Sequence, residues 1–198
     1  MKIKLFGMLA LLSVGLIYLG MPRVSDASVD SSRSNVDPVK VGEEAPDFTL
    51  KALSGESVTL SEARGKMPTV LVFYRGFWCP YCAKQLSELR FLLKKDEPVR
   101  LFAVSVDTQD QAKQLIDKIT ADGKGAIYYS FLSDPGHKTI DEYGLHDPTY
   151  NGKKFDGIPH ASVYVIDKAG RVAWAKISDD YKVRPTNADI RSALDSLK

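Results

Sequence analysis

Cysteine is scarce in this chain: two residues in 198, Cys79 and Cys82. Two cysteines separated by only two residues exclude the disulfide framework of a small secreted scaffold. Histidine is almost as sparse, with only His137, His146 and His160. A zinc site on the cysteine pair needs two further ligands, and these histidines stand at no recognisable zinc spacing, so no metal is expected. An excess of one charge is also missing. Lys and Arg number 27 against 25 Asp and Glu, a net charge of +2 with the signs interleaved. That balance excludes the basic footprint of a nucleic-acid groove. The chain has no internal repeat and no long low-complexity tract. At 44% hydrophobic and 26% charged, it reads as an ordinary globular protein with one core.

What is present begins with a targeting pattern. Lys2 and Lys4 precede an apolar run, Leu5 to Gly20, and Met21–Ala27 closes it with the small residues Ser25 and Ala27. A basic start, an apolar middle and a small-x-small end are the order of a secretory signal, with cleavage expected after Ala27. The alternative is an uncleaved anchor, because the run falls just short of spanning length and Arg23 follows it. On either reading residues 1–27 are a signal peptide or membrane anchor, and the protein is exported to the periplasm or the outer side of the cytoplasmic membrane. Any membrane contact is then expected only through residues 5–20, if they are uncleaved. Residues 28–40 are polar and Ser-rich, a flexible linker. The domain occupies residues 41–198.

Within the domain, Phe48 and Leu50, then Val58 and Leu60, alternate about Ser54–Gly55–Glu56, the signal of a hairpin. Ser61–Lys66 is a helical turn or loop. Thr69–Tyr74 and Val99–Asp107 are nearly continuous apolar runs of strand length, so both belong at the centre of a sheet. Helical spacing runs from Cys79 to Lys95 and again to about Thr120, the second helix capped by Thr108–Gln109–Asp110. A third strand is expected near Ile127–Leu132 and a short helix near His137–Tyr143. Leu145–Gly157 is turn-rich. Ser162–Ile166 and Val172–Ile177 flank the turn Asp167–Arg171, and Thr186–Asp189 opens a last helix with a capping box. This order predicts an α/β three-layer sandwich, parallel at the centre and antiparallel at the edge.

The chemistry converges on Phe77–Trp78–Cys79–Pro80–Tyr81–Cys82. A buried strand delivers this stretch to the first turn of a helix. Unpaired N–H groups and the helix dipole there favour a thiolate at Cys79. Pro80 occupies the one turn of a helix that tolerates proline. Cys82 lies about one helical turn on, close enough to close a disulfide with Cys79. Trp78 and Tyr81 are expected to shield the pair and offer partners an apolar surface. Arg75 is placed to add a positive charge near the thiolate. A disulfide spanning two residues constrains almost no chain entropy, so a purely structural role is not expected. Before the hairpin, Gly157–Ile158–Pro159–His160–Ala161 brings a second proline that either faces the pair or makes an ordinary turn.

On these residues the chain resembles the thioredoxin-like superfamily, and within it the peroxiredoxin-like branch of the alkyl hydroperoxide reductase/thiol-specific antioxidant (AhpC/TSA) family. Val41–Phe48, Phe73–Cys82 and Val163–Asp167 with Gly170 carry the resemblance, which covers about residues 41–198. It implies a thioredoxin-like fold with an N-terminal hairpin extension and a thiol redox enzyme that uses no metal or organic cofactor. It also implies that Pro159 matches the proline that is cis in thioredoxin folds and shapes the partner groove. The departures are specific. Arg75 stands where the family carries proline, Cys79 where it carries Thr or Ser, and Cys82 where it carries the peroxide-attacking cysteine. Its later arginine, six residues before Asp167, corresponds to Ala161. The buried acid of thioredoxin corresponds to Phe73, so proton transfer must use another group or water. Pro159 lies two residues earlier than the family's spacing.

Loss of the hydroxyl and of the arginine favours thiol–disulfide exchange, with Cys79 as nucleophile and Cys82 resolving. The catalytic residues are then Cys79 and Cys82, supported by Arg75, Trp78, Pro80, Tyr81 and Pro159. The alternative is an antioxidant thiol peroxidase, and a second is a non-catalytic binding domain of the same fold. Expected partners are protein thiols or disulfides, an upstream thiol electron donor and, for the peroxidase, hydroperoxides.

Overall fold

The computed structural model describes residues 36–65 and 67–197. The signal or anchor at 1–27 and most of the 28–40 linker lie outside the described residues. Among the described residues no helix is long and apolar enough to cross a membrane.

The domain is built on one seven-stranded sheet. Its strands are β1 (Thr49–Ala52), β2 (Ser57–Thr59), β3 (Thr69–Phe73), β4 (Arg100–Ser105), β5 (Ser130–Ser133), β6 (Ser162–Ile166) and β7 (Val172–Ile177), in the spatial order β2-β1-β5-β4-β3-β6-β7. β3, β4 and β5 are parallel, and the remaining pairings are antiparallel. The helices are α1 (Leu60–Arg64), α2 (Pro80–Leu89), α3 (Gln109–Thr120), α4 (Lys138–Glu142) and α5 (Asn187–Asp195).

Alternation along β3 sorts its side chains between two cores. Val70, Val72 and Tyr74 join the core closed by Leu86 and Leu89 of α2, Leu115 of α3 and Ile190 of α5. Leu71 and Phe73 join the opposite one, with Leu60 of α1, Ile140 of α4 and Tyr143. Every residue of β3 and β6 is buried, as the near-continuous apolar runs require. This is the expected α/β/α sandwich.

The entry segment earns its place through backbone bonds to the far hairpin. Gly42 N–H donates to the Val172 carbonyl at 2.8 Å and Ala45 N–H to Gly170 at 2.9 Å. Asp47 then accepts from the Ser61 hydroxyl at 2.6 Å and the Ser61 N–H at 2.9 Å, fixing the start of α1.

Three expected boundaries move. The third strand starts at Ser130 rather than Ile127, because Ile127 and Tyr129 pack against the core as side chains without joining the ladder. The helix after Cys79 ends at Leu89 rather than Lys95. Arg90 folds back there, donating to the Ser87 carbonyl at 3.0 Å and to Asp122 at 2.8 Å, and leaves Phe91 62% exposed. The helix near His137 runs only from Lys138 to Glu142.

Candidate active site

β3 runs into Tyr74, Arg75 and Gly76 and hands the chain to α2 through Cys79, the helix N-cap, with Pro80 in the first turn. Gly76 is required at this handover. Its φ is +145°, and a Cβ there would lie 2.7 Å from Trp78 Nε1 and 3.2 Å from Asp107 Oδ1. The turn therefore fixes where Arg75 and Cys79 point.

The two sulfurs face inward. Cys79 is 1% and Cys82 0% exposed, both as free thiols. Their proton affinities are pushed apart. The Cys82 thiol donates to Cys79, and with the N–H groups of Cys82 and Tyr81 and the charge of Arg184 it lowers Cys79 to about 6 despite burial. Cys82 is raised, first by that same hydrogen bond and then by burial. Its sulfur accepts the Arg75 N–H at 3.4 Å and faces Arg184 Nη2 at 3.7 Å. The arrangement is a thiolate at the helix N-terminus with a protonated thiol one turn along.

The supporting residues are brought together in part. Trp78 is half-buried and stacks on Phe155, with centroids 4.2 Å apart. Phe155 comes from the turn-rich segment, which folds back over the strand-to-helix turn instead of trailing over the surface. Tyr81 is 38% exposed and meets Tyr181 edge-on at 5.6 Å. Arg75 is not a solvated turn residue. It is 3% exposed and sits among Tyr181, Tyr150 and Trp78. Pro159 does not match the cis proline: its peptide bond is trans, since the described residues contain no cis bond. It pairs with His146 in an isolated antiparallel bridge, while β6 opens later, at Ser162.

Sequence reasoning missed two groups. Arg184, on the segment before α5, supplies the guanidinium that Ala161 cannot. Asp107, just beyond β4, is a 4% exposed acid that burial holds above the usual carboxylate range, near the Tyr74 hydroxyl and the Phe77 N–H. Nothing local marks either residue, because each reaches the site only through the sheet topology.

The histidines also meet. His137 Nδ1 lies 2.9 Å and His146 Nδ1 3.1 Å from the Asp141 carboxylate, and the three could hold a metal ion among the described residues. The cluster ties α4 to the segment that carries Phe155. It is made by a helix and a loop and so shows no zinc spacing in the sequence.

A thioredoxin-like fold carrying a polarised cysteine pair defines a thiol-based oxidoreductase. The sequence model of the AhpC/TSA family matches residues 41–175, and the chain belongs to that family. It is 28% identical over 163 residues to a putative peroxiredoxin bcp of Haemophilus influenzae, covering 82% of this chain and all of that one. It is 32% identical over 136 residues to a chloroplastic peroxiredoxin Q of Triticum aestivum, covering 69% and 58%. Among solved structures, a peroxiredoxin-like protein from Aquifex aeolicus superposes with a TM-score of 0.69 at 18% identity, over 82% of this chain and 90% of its own. Peroxidoxin BcpB from Mycobacterium tuberculosis gives 0.65 at 23% identity, over 80% and 96%.

Proposed function

We propose that the protein is a thiol peroxidase that reduces hydroperoxides through Cys79 and Cys82, and that an external thiol donor regenerates it. The carrying observation is a thiol lowered to about 6 that is nevertheless 1% exposed. Any dithiol or disulfide partner, the regenerating donor included, must bring its own sulfur in line with one of the pair, which needs the turn around the cysteines to open. A small peroxide does not. The family names of the relatives support the same direction.

The Cys79 thiolate attacks the nearer peroxide oxygen. The O–O bond breaks, the attacked OH oxygen stays on sulfur with its hydrogen as the sulfenic acid, and the other oxygen leaves as alkoxide or hydroxide and takes a proton from solvent to become alcohol or water. The Cys82 thiol then attacks the sulfenic sulfur, water leaves, and the Cys79–Cys82 disulfide forms. A dithiol reductant returns both thiols. Arg184 offsets the charge on the sulfurs, the part the missing arginine at Ala161 leaves open. Cys79 thus takes the attacking role, and Cys82, at the position of the family's attacking cysteine, becomes its hydrogen-bond donor and resolver.

The test is hydrogen peroxide consumption with dithiothreitol as donor, alongside insulin-disulfide reduction. Peroxide turnover that is lost in Cys79→Ser is expected. Cys82→Ser is expected to stop at a sulfenic acid that dimedone traps. Insulin reduction without peroxide turnover would restore thiol–disulfide exchange as the reading. Silence in both assays, with both thiols reduced, would favour the binding domain.

A further inference from the structure

Arg75 raises a problem that the redox chemistry does not use up. The residue is only 3% exposed, yet among the described residues its guanidinium has no carboxylate and no hydrogen-bond partner. Nε is fully enclosed and unpaired. Only the backbone N–H of Arg75 is engaged, by the Cys82 sulfur. Three rings surround the guanidinium carbon, with centroids at 4.4 Å for Tyr181, 5.1 Å for Tyr150 and 5.4 Å for Trp78. Aromatic faces offset part of the cost of burying the charge. They do not accept its in-plane N–H groups, which remain a fork suited to a planar anion.

A second orphan lies on the same space. Ser178 is 4% exposed, and its hydroxyl is buried without a partner. Ser178 and Arg75 line one cavity of about 210 Å³, walled further by Tyr150, Tyr181 and His160. Native structures rarely leave buried donors unmatched, and here both residues line the same small cavity. Asp147 and Asp179 also line it and repel any negative charge on an occupant, so the Arg75 guanidinium can offset one such charge but not two, and an ammonium group is favoured beside it.

We infer that this cavity is a binding site for the carboxylate of a small organic acid, held bidentate by Arg75, with the buried Ser178 hydroxyl turning onto it. The site selects monocarboxylates over dianions and accepts amino acids. Because Arg75 also touches Cys82 through its backbone, the site lies beside the redox pair, and a peroxide that carries a carboxylate would be anchored there. That extension rests on the peroxidase reading, whereas binding itself does not.

Two arms separate them. The first uses the Cys79→Ser protein, which cannot turn over, with acetate, glycine and sulfate measured by calorimetry and thermal shift. Saturable binding of acetate and glycine is expected, with sulfate at least tenfold weaker. Ser178→Ala should weaken acetate about tenfold, the loss of one hydrogen bond to a charged group, and Arg75→Gln should abolish saturation. Arg75→Lys, which keeps the charge but not the fork, should weaken it as well. Absence of saturable acetate binding in the otherwise wild-type site overturns the proposal, whatever the fate of the variants, and so does sulfate binding as tightly as acetate. The second arm compares monoperoxysuccinate with uncharged tert-butyl hydroperoxide as substrates. A KM at least tenfold lower for the charged peroxide, lost in Ser178→Ala, supports anchoring. Equal KM values overturn anchoring alone. No turnover of either peroxide overturns the peroxidase reading while the binding arm stands.

Discussion

At the scale of single residues, the pair works because one proton is shared unequally. Removing the donor should undo this. In Cys82→Ala the largest influence lowering Cys79 is gone, so the pH midpoint for iodoacetamide alkylation of Cys79 is expected to rise from about 6 toward the ordinary thiol range. The same linkage governs stability. A depressed thiol stabilises the reduced fold above its unfolded value, and that contribution is lost as pH falls through about 6. Asp107 has the opposite sign. Its carboxyl is raised by burial, so its favourable contribution is present below the ordinary carboxylate value and lost as pH rises through the raised one. Asp107→Asn, neutral throughout, should therefore melt higher than wild type at pH 7. Its melting temperature should also lack the fall expected of wild type above the ordinary carboxylate range. Thermal melts from pH 4 to pH 7 check both.

At the scale of elements, the caps are local and separable. Thr186 and Thr108 each form a full capping box, on α5 and α3. Thr186→Ala is expected to cost about 1 kcal/mol in urea unfolding, and the double variant with Thr108→Ala about twice that, since the two caps share no partner. These caps, the two buried strands and the strand-to-helix turn were readable because their signals are local in sequence. What moved was set by tertiary contact. Ile127 and Tyr129 look like strand but pack, partly buried, against the core as side chains. Leu92 and Leu93 continue a helical pattern after the backbone has stopped being helical. In the site, Cys79 and Cys82 were legible from spacing, while Arg184, Asp107 and the rings around Arg75 arrive from four separate segments. Their meeting depends on the sheet order, so no window of sequence contains it. Pro159 takes the trans alternative and lines the cavity beside Arg75. Its neighbours suggested a strand start, but it pairs instead with His146.

At the scale of the whole molecule, export remains our proposal, resting on Lys2, Lys4 and the apolar run to Gly20. Expression in a Gram-negative host with osmotic-shock fractionation, followed by N-terminal sequencing, should find the protein outside the cytoplasm and starting at Ser28. Retention in the membrane fraction with residues 1–27 intact would identify the anchor form. On the peroxidase reading the enclosed thiol pair has a further consequence. Once Cys79 is a sulfenic acid, Cys82 is already one helical turn away, while a second peroxide must still enter. Resolution should win that race, so the enzyme is protected against its own substrate. Under repeated peroxide doses, intact-mass spectra should show wild type accumulating only the disulfide. Cys82→Ser should progress to the irreversible sulfinic form.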